Sequence, residues 1–128
     1  MIFRESWIYF ADGTNIEWYR VFHLYRGFIR RVTYEGLFMK GSVKVVIPPK
    51  LEYRGFKRKY YKKGDVIRSI LVRTNWARRK IDHSALFYKC NNAIMIKKKN
   101  DPRSKYFYGP VSTILNRKRF MALFSYNL

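Results

Sequence analysis

Residues 62–73 read Lys62-Lys63-Gly64-Asp65-Val66-Ile67-Arg68-Ser69-Ile70-Leu71-Val72-Arg73. Two lysines, a glycine and an aspartate make a turn. The eight residues that follow are mostly branched aliphatics and apolar on both faces, which predicts a strand buried from two sides. Upstream, Glu17 to Arg26 is crowded with Trp18, Tyr19, Val21, Phe22 and Tyr25. Residues 37–47 close on Val43-Lys44-Val45-Val46-Ile47, and Pro48-Pro49 ends that strand, because proline cannot donate to a ladder. Downstream, Ala85 to Tyr88 and Ala93 to Ile96 flank Lys89-Cys90-Asn91-Asn92, whose paired asparagines suit a tight hairpin turn. Helical spacing occurs only near the end. After Gly109-Pro110, residues Val111, Ile114 and Leu115 stand at i, i+3 and i+4, with Ser112 or Thr113 near the start. Asn116-Arg117-Lys118-Arg119 interrupts this pattern, and Phe120 to Phe124 is expected as a second short turn or strand. Short, closely spaced strands with helix only at the C-terminus predict a mainly β fold, a small closed barrel rather than an α/β sheet.

Residues 49–63 interrupt the strand pattern. The stretch Pro49-Lys50-Leu51-Glu52-Tyr53-Arg54-Gly55-Phe56-Lys57-Arg58-Lys59-Tyr60-Tyr61-Lys62-Lys63 mixes cations with aromatics and holds one acid. It reads as a hairpin or loop protruding from the barrel, able to stack on bases and to pair with phosphates. Neither a repeat nor a linker divides residues 1–128, so the chain reads as one domain.

The charge balance narrows the partners. The 128 residues carry 28 Lys+Arg against 8 Asp+Glu, a net charge of +20. Apolar residues make up 48% and aromatics 19%, which excludes a disordered basic tail, since such tails lack core-forming residues. So large an uncompensated charge calls for a polyanion, and nucleic acid is the obvious one. A single cysteine, Cys90, excludes an internal disulfide and a thiolate cluster. No apolar run approaches the roughly 20 residues that a membrane helix needs. The start, Met1-Ile2-Phe3-Arg4-Glu5-Ser6-Trp7, has neither a secretory h-region nor a presequence character. The expectation is a chain that works where it is made, or one already processed.

Enzyme constellations fail on inspection. Asp82-His83-Ser84 resembles a hydrolase triad only in composition, because a triad needs side chains converging from separated segments. It reads as a polar turn. His23 lies within a strand-like run, and two histidines with one cysteine make no metal site. Cys90 reads as a turn residue without a local base. No glycine-rich phosphate loop occurs. The expectation is a protein with no catalytic site, metal or cofactor.

The candidate RNA contacts are therefore the basic clusters. They are Arg30-Arg31, Lys44, the arm with Arg54, Lys57, Arg58 and Lys59, then Arg73, Arg78-Arg79-Lys80, and Arg117 with Arg119. Arginine ranks above lysine because guanidinium binds phosphate bidentately and stacks on bases. Lys97-Lys98-Lys99 precedes an Asn100-Asp101-Pro102 turn and reads equally well as a solvated face. Among the aromatics, Trp18, Phe22, Phe38, Phe87 and Tyr88 are expected mostly in the core. Tyr53, Phe56, Tyr60 and Tyr61 lie between cations and are expected to stack on RNA or on a neighbouring protein. One class these features allow is a free single-strand RNA-binding barrel whose strand aromatics do the stacking.

In chain order, Ala11-Asp12-Gly13-Thr14, Arg30-Arg31, Lys63-Gly64-Asp65-Val66, Val72-Arg73-Thr74 and Phe107-Tyr108-Gly109-Pro110-Val111 resemble the motifs of the universal family of large-subunit ribosomal protein fourteen. Ala11-Asp12-Gly13-Thr14 is similar to its A-D-N-S segment, and Arg30-Arg31 to a paired-arginine motif. Gly36 corresponds to the glycine opening the next strand, and Lys44 with Ile47-Pro48 to that strand's close. Lys63-Gly64-Asp65-Val66 with Val72-Arg73-Thr74 resembles the family's K-G-D-V and V-V-R-T. Arg79 and Asp82-His83-Ser84 fall on R-R-P-D-G-S, and Tyr88, Asn91 and Ala93-Ile94 on F-D-G-N-A-C-V. Phe107-Tyr108-Gly109-Pro110-Val111 is similar to I-F-G-P-V, with Phe120-Met121 and Leu123 following in register. The likeness covers about residues 8–125. Asn15, His83 and Cys90 replace family glycines, much of 50–63 is an insertion, and Tyr126-Asn127-Leu128 replaces the usual Ala-Pro-Glu tail.

The resemblance implies a five-stranded closed barrel with a protruding hairpin and short C-terminal helices. It implies a structural constituent of the large ribosomal subunit that binds large-subunit rRNA at the subunit interface. Implied partners are neighbouring large-subunit proteins, small-subunit rRNA through an inter-subunit bridge, and a ribosome-silencing factor, with no membrane. Abundant Phe, Tyr, Ile, Lys and Asn is what AT-rich codons produce. Together with the drifted motifs, that composition points to a mitochondrial ribosome, with a plastid as the alternative.

Overall fold

The computed structural model describes residues 1–25, 27, 29–48, 60–98, 101–112, 115 and 126–127. In chain order its strands are β1 (Ile2–Phe3), β2 (Trp7–Phe10), β3 (Ile16–Leu24), β4 (Val32–Thr33), β5 (Phe38–Val46) and β6 (Val66–Arg73). They continue with β7 (Arg78–Arg79), β8 (Ala85–Leu86), β9 (Asn92–Met95), β10 (Tyr106–Phe107) and β11 (Tyr126–Asn127). Strands β2, β3, β5, β6 and β9 close a barrel in that order. Neighbours are antiparallel except where β9 returns parallel to β2, pairing Tyr9 with Asn92 and Phe10 with Ala93. The expected five-stranded closed barrel is the observed fold.

Strand β6 shows why the barrel closes. Ile67 and Leu71 face a core shared with Ile8, Phe10, Tyr19, Val21, Met39 and Val43. Ile70 and Val72, on the opposite face, join Ala11, Ile94, Ile96 and Phe107 in a second cluster outside the barrel. Burying each large aliphatic contributes about 1.5–3 kcal/mol, so a strand with two apolar faces requires cover on both. The turn before it forms as expected, with Asp65 N–H donating to Lys62 O at 3.2 Å and Lys62 N–H to Asp65 Oδ2 at 3.0 Å. Tyr19 fills the barrel centre, and Ser69 Oγ donates to its hydroxyl at 3.1 Å. Burial raises the Tyr19 pKa well above its ordinary value. Gly41 makes room for this ring, since a Cβ there would lie 2.7 Å from Tyr19 Cζ.

Four expectations need correction. The hairpin joining 85–88 to 93–96 does not form. Ala85–Leu86 pairs instead with Arg78–Arg79, while Asn92 is the first residue of β9 between β2 and β6. The Asn92 side chain is buried and accepts from Arg73 Nε at 3.1 Å, so it serves the interior and not a turn. Secondly, the described residues contain no helix. Leu115 N–H donates to Ser112 O at 3.2 Å in a single turn, and Tyr126–Asn127 pairs parallel with Tyr106–Phe107. The rest of the expected C-terminal helices, residues 113–114 and 116–125, lies outside the described residues.

The third correction concerns the aromatics. Trp18, Phe22 and Phe87 are exposed, and only Phe38 and Tyr88 are half-buried. Trp18 and Phe22 alternate on β3 with the buried Tyr19 and Val21, which puts them on the outer face. Lastly, Tyr61 is buried in the barrel core and not displayed on the arm. Asn15 fixes it there, donating from Nδ2 to Tyr61 O at 2.9 Å and accepting from Tyr61 N–H at 3.0 Å.

Candidate nucleic-acid interface

Strand β7 carries two cations of the Arg78-Arg79-Lys80 cluster and pairs with β8. Arg78 pairs with Leu86 and Arg79 with Ala85. The loop between them closes through Lys80 N–H to Ser84 O at 2.8 Å and His83 N–H to Lys80 O at 3.1 Å. Asp82 Oδ1 accepts from Ser84 N–H at 3.1 Å and from Ser84 Oγ at 2.7 Å. These bonds hold the exposed Asp82 carboxyl below its ordinary pKa. His83 takes a φ of 66°, the conformation a glycine would adopt without strain. Asp82-His83-Ser84 is thus the polar turn expected, with its side-chain bonds spent within the loop.

The hairpin is anchored at its base. Buried Glu35 accepts from Thr74 Oγ1 at 2.6 Å and from Arg78 Nη1 at 3.4 Å, and the Arg78 guanidinium lies 5.3 Å from the Tyr34 ring centroid. Tyr88 N–H donates to Thr74 O at 3.2 Å and closes the other side. Arg79 is exposed and Lys80 half-buried, so the hairpin presents two cations on a fixed support. Trp76, Ile81 and Phe87 are exposed around them.

The remaining candidates divide by location. Arg31 is exposed, whereas Arg30 donates from Nε to Val32 O at 2.9 Å and from Nη1 to Tyr25 O at 3.4 Å. Both precede the 34–35 segment that Arg78 grips. Lys44 is half-buried, six residues into β5 from Phe38, or roughly 20 Å along the strand. Tyr60 is half-buried. Tyr53, Arg54, Phe56, Lys57, Arg58, Lys59, Arg117 and Arg119 lie outside the described residues.

Arg73 is mostly buried. It is 9% exposed, donates from Nε to Asn92 Oδ1 at 3.1 Å and from Nη1 to Pro110 O at 3.3 Å, and lies 5.6 Å from the Phe107 ring centroid. Burial pushes its pKa down. Gly109, at φ 85°, permits this, because a Cβ there would collide with the Arg73 guanidinium.

Sequence reasoning passed over the outer wall of the barrel. Trp7 is 49% exposed, and Tyr9 and Trp18 are 38% each. Trp7 lies opposite Arg20, and Tyr9 opposite Trp18, with the Tyr9 and Trp18 rings edge to face at 5.4 Å. The alternation Trp7-Ile8-Tyr9-Phe10 separates two faces, but both are apolar and the pattern is silent on which is inside. On β5 and β6, Lys40 lies opposite Arg68, whose guanidinium is 4.8 Å from the Phe38 ring centroid. Among the described residues no group of three or more His, Cys, Asp or Glu converges as a metal site. A family model described as ribosomal protein L14p/L23e matches residues 1–127.

Proposed function

Since the chain belongs to the ribosomal protein L14p/L23e family, a family of structural ribosomal proteins and not of enzymes, we propose that it binds large-subunit rRNA at the interface with the small subunit. The observation that supports this most directly is the β7–β8 hairpin. It holds Arg79 exposed beside an Arg78 already neutralised by Glu35, on a chain whose 8 acids leave most of 28 cations without a counter-charge. Phosphates supply what the protein lacks. Arg31 and Lys44 extend the contact, and the 49–63 arm reaches further RNA or an adjoining protein. A bridge to small-subunit rRNA, docking of a silencing factor and a mitochondrial ribosome belong to the same proposal, supported by the family and the codon-driven composition.

Sedimentation tests it. The protein is expected to travel with the large subunit at moderate salt. Recovery only in ribosome-free fractions overturns the proposal.

A further inference from the structure

We propose that the cleft between the barrel's outer wall and the segment after β10 holds one unpaired nucleotide of RNA, its base against Tyr9 and Tyr108. The proposal rests on the rRNA-binding reading and gives it a defined site. The cleft is open, with a volume of about 360 Å³, at the small end of the range for ligand sites. It suits a single nucleotide and not a duplex.

Its walls are aromatic and fixed. Tyr9 and Tyr108 are 38% and 46% exposed. The Trp18 and Tyr9 rings meet edge to face at 5.4 Å. Asn92 Nδ2 donates to Tyr9 O at 3.4 Å, and Tyr108 N–H donates to Ala11 O at 2.9 Å. Both tyrosines are therefore held by backbone bonds, and their rings remain available.

Arg73 and Asp12 are the charged residues of the lining. Arg73 lines the cleft, and among the described residues it donates to the neutral acceptors Asn92 Oδ1 and Pro110 O. Among the described residues no carboxylate forms an ion pair with it. Asp12 also lines the cleft, but its bonds turn inward. Its Oδ1 accepts from Thr14 N–H at 3.2 Å and Thr14 Oγ1 at 2.5 Å, and its Oδ2 accepts from Met95 N–H at 2.9 Å. Burial raises its pKa. A flat ring bearing carbonyl or ring-nitrogen acceptors, carried on an anionic backbone, complements these features. A nucleobase meets all of them, and stacking on tyrosine is tolerant of which base it is.

Two RNA hairpins test the site against the full chain by fluorescence anisotropy at fixed salt, one fully paired and one with a single-nucleotide bulge. The bulged RNA is expected to bind about tenfold more tightly, from one base stacked on aromatic side chains. Tyr9→Ala and Tyr108→Ala should each reduce that preference and leave affinity for the paired stem unchanged, while Tyr9→Phe retains it. Both positions are exposed, and unchanged thermal midpoints will show that the variants fold. Equal affinity of the wild type for the two RNAs overturns the cleft and leaves rRNA binding standing. A bulge preference that survives both alanine variants also overturns it. Failure to bind either RNA overturns the cleft and counts against rRNA binding itself.

Discussion

Arg73 and Arg79 stand six positions apart, and the fold puts them to opposite uses. Arg73 ends β6 inside the molecule, its guanidinium between Asn92, Pro110 and Phe107. Arg79 lies in the open on β7. The aspartates of the two regions differ in the same way. Burial raises the pKa of Asp12, beside the Arg73 cleft, whereas hydrogen bonds from Ser84 lower that of exposed Asp82, beside Arg79. The contrast shows that in a chain of net charge +20 a cation can be a structural strut as well as a contact, and that burial decides which.

The largest effect is expected at the buried end. Arg73→Ala leaves Asn92 and Pro110 without their donor and opens a space against Phe107. It should cost about 3 kcal/mol, roughly a 10 °C fall in thermal midpoint for a chain of this size. Thermal unfolding of the variant measures it, and a midpoint equal to that of the wild type would erase the contrast.

The two aspartates should give pH dependences of opposite sign. The folded state holds the Asp12 proton after the unfolded chain has released it, so Asp12 weakens the fold as pH rises above the ordinary carboxylate value. Compared with Asp12→Asn, the wild type should lose relative stability across that rise. Asp82 contributes above the ordinary value, and its contribution is lost as pH falls through the lowered pKa. Compared with Asp82→Asn, the wild type should lose relative stability on acidification. Denaturant unfolding of the two pairs at several pH values tests both signs, and matching trends would refute the assignment.

The smallest change in stability is expected at Arg79. Arg79→Ala should move the folding free energy by less than about 0.5 kcal/mol. It should also lower the log–log salt slope of RNA binding by roughly 0.7–0.9, the equivalent of one phosphate. An unchanged slope would mean that Arg79 remains in the field of RNA without touching it.

Much of the scaffold was legible in the chain. Val66–Arg73 carries enough branched aliphatics to specify a strand with both faces buried, and its bounds coincide with β6. The strand read at 17–26 is β3 at Ile16–Leu24, and that read at 37–47 is β5 at Phe38–Val46. The candidate contacts were less legible, because nothing near Arg73 in sequence announces the 107–110 segment that covers it. Tyr61 sits among lysines and looked like part of the arm until Asn15, 46 residues earlier, drew its backbone onto the barrel. Asn91-Asn92 has hairpin chemistry, yet Asn92 pairs with β2, more than 80 residues upstream.

The sequence by itself determined the class of fold and the class of partner. Strand patterning and the alternation of turns are local properties, and net charge is a sum that no conformation alters. The tertiary structure decided which side chains reach the partner. That choice depends on what closes over each face of a strand: the 107–110 segment covers Arg73, Arg79 is left exposed, and a cleft stays open between Tyr9 and Tyr108. Covering segments come from distant parts of the chain, so burial, and with it the role of each cation and each ring, is set only when the barrel closes.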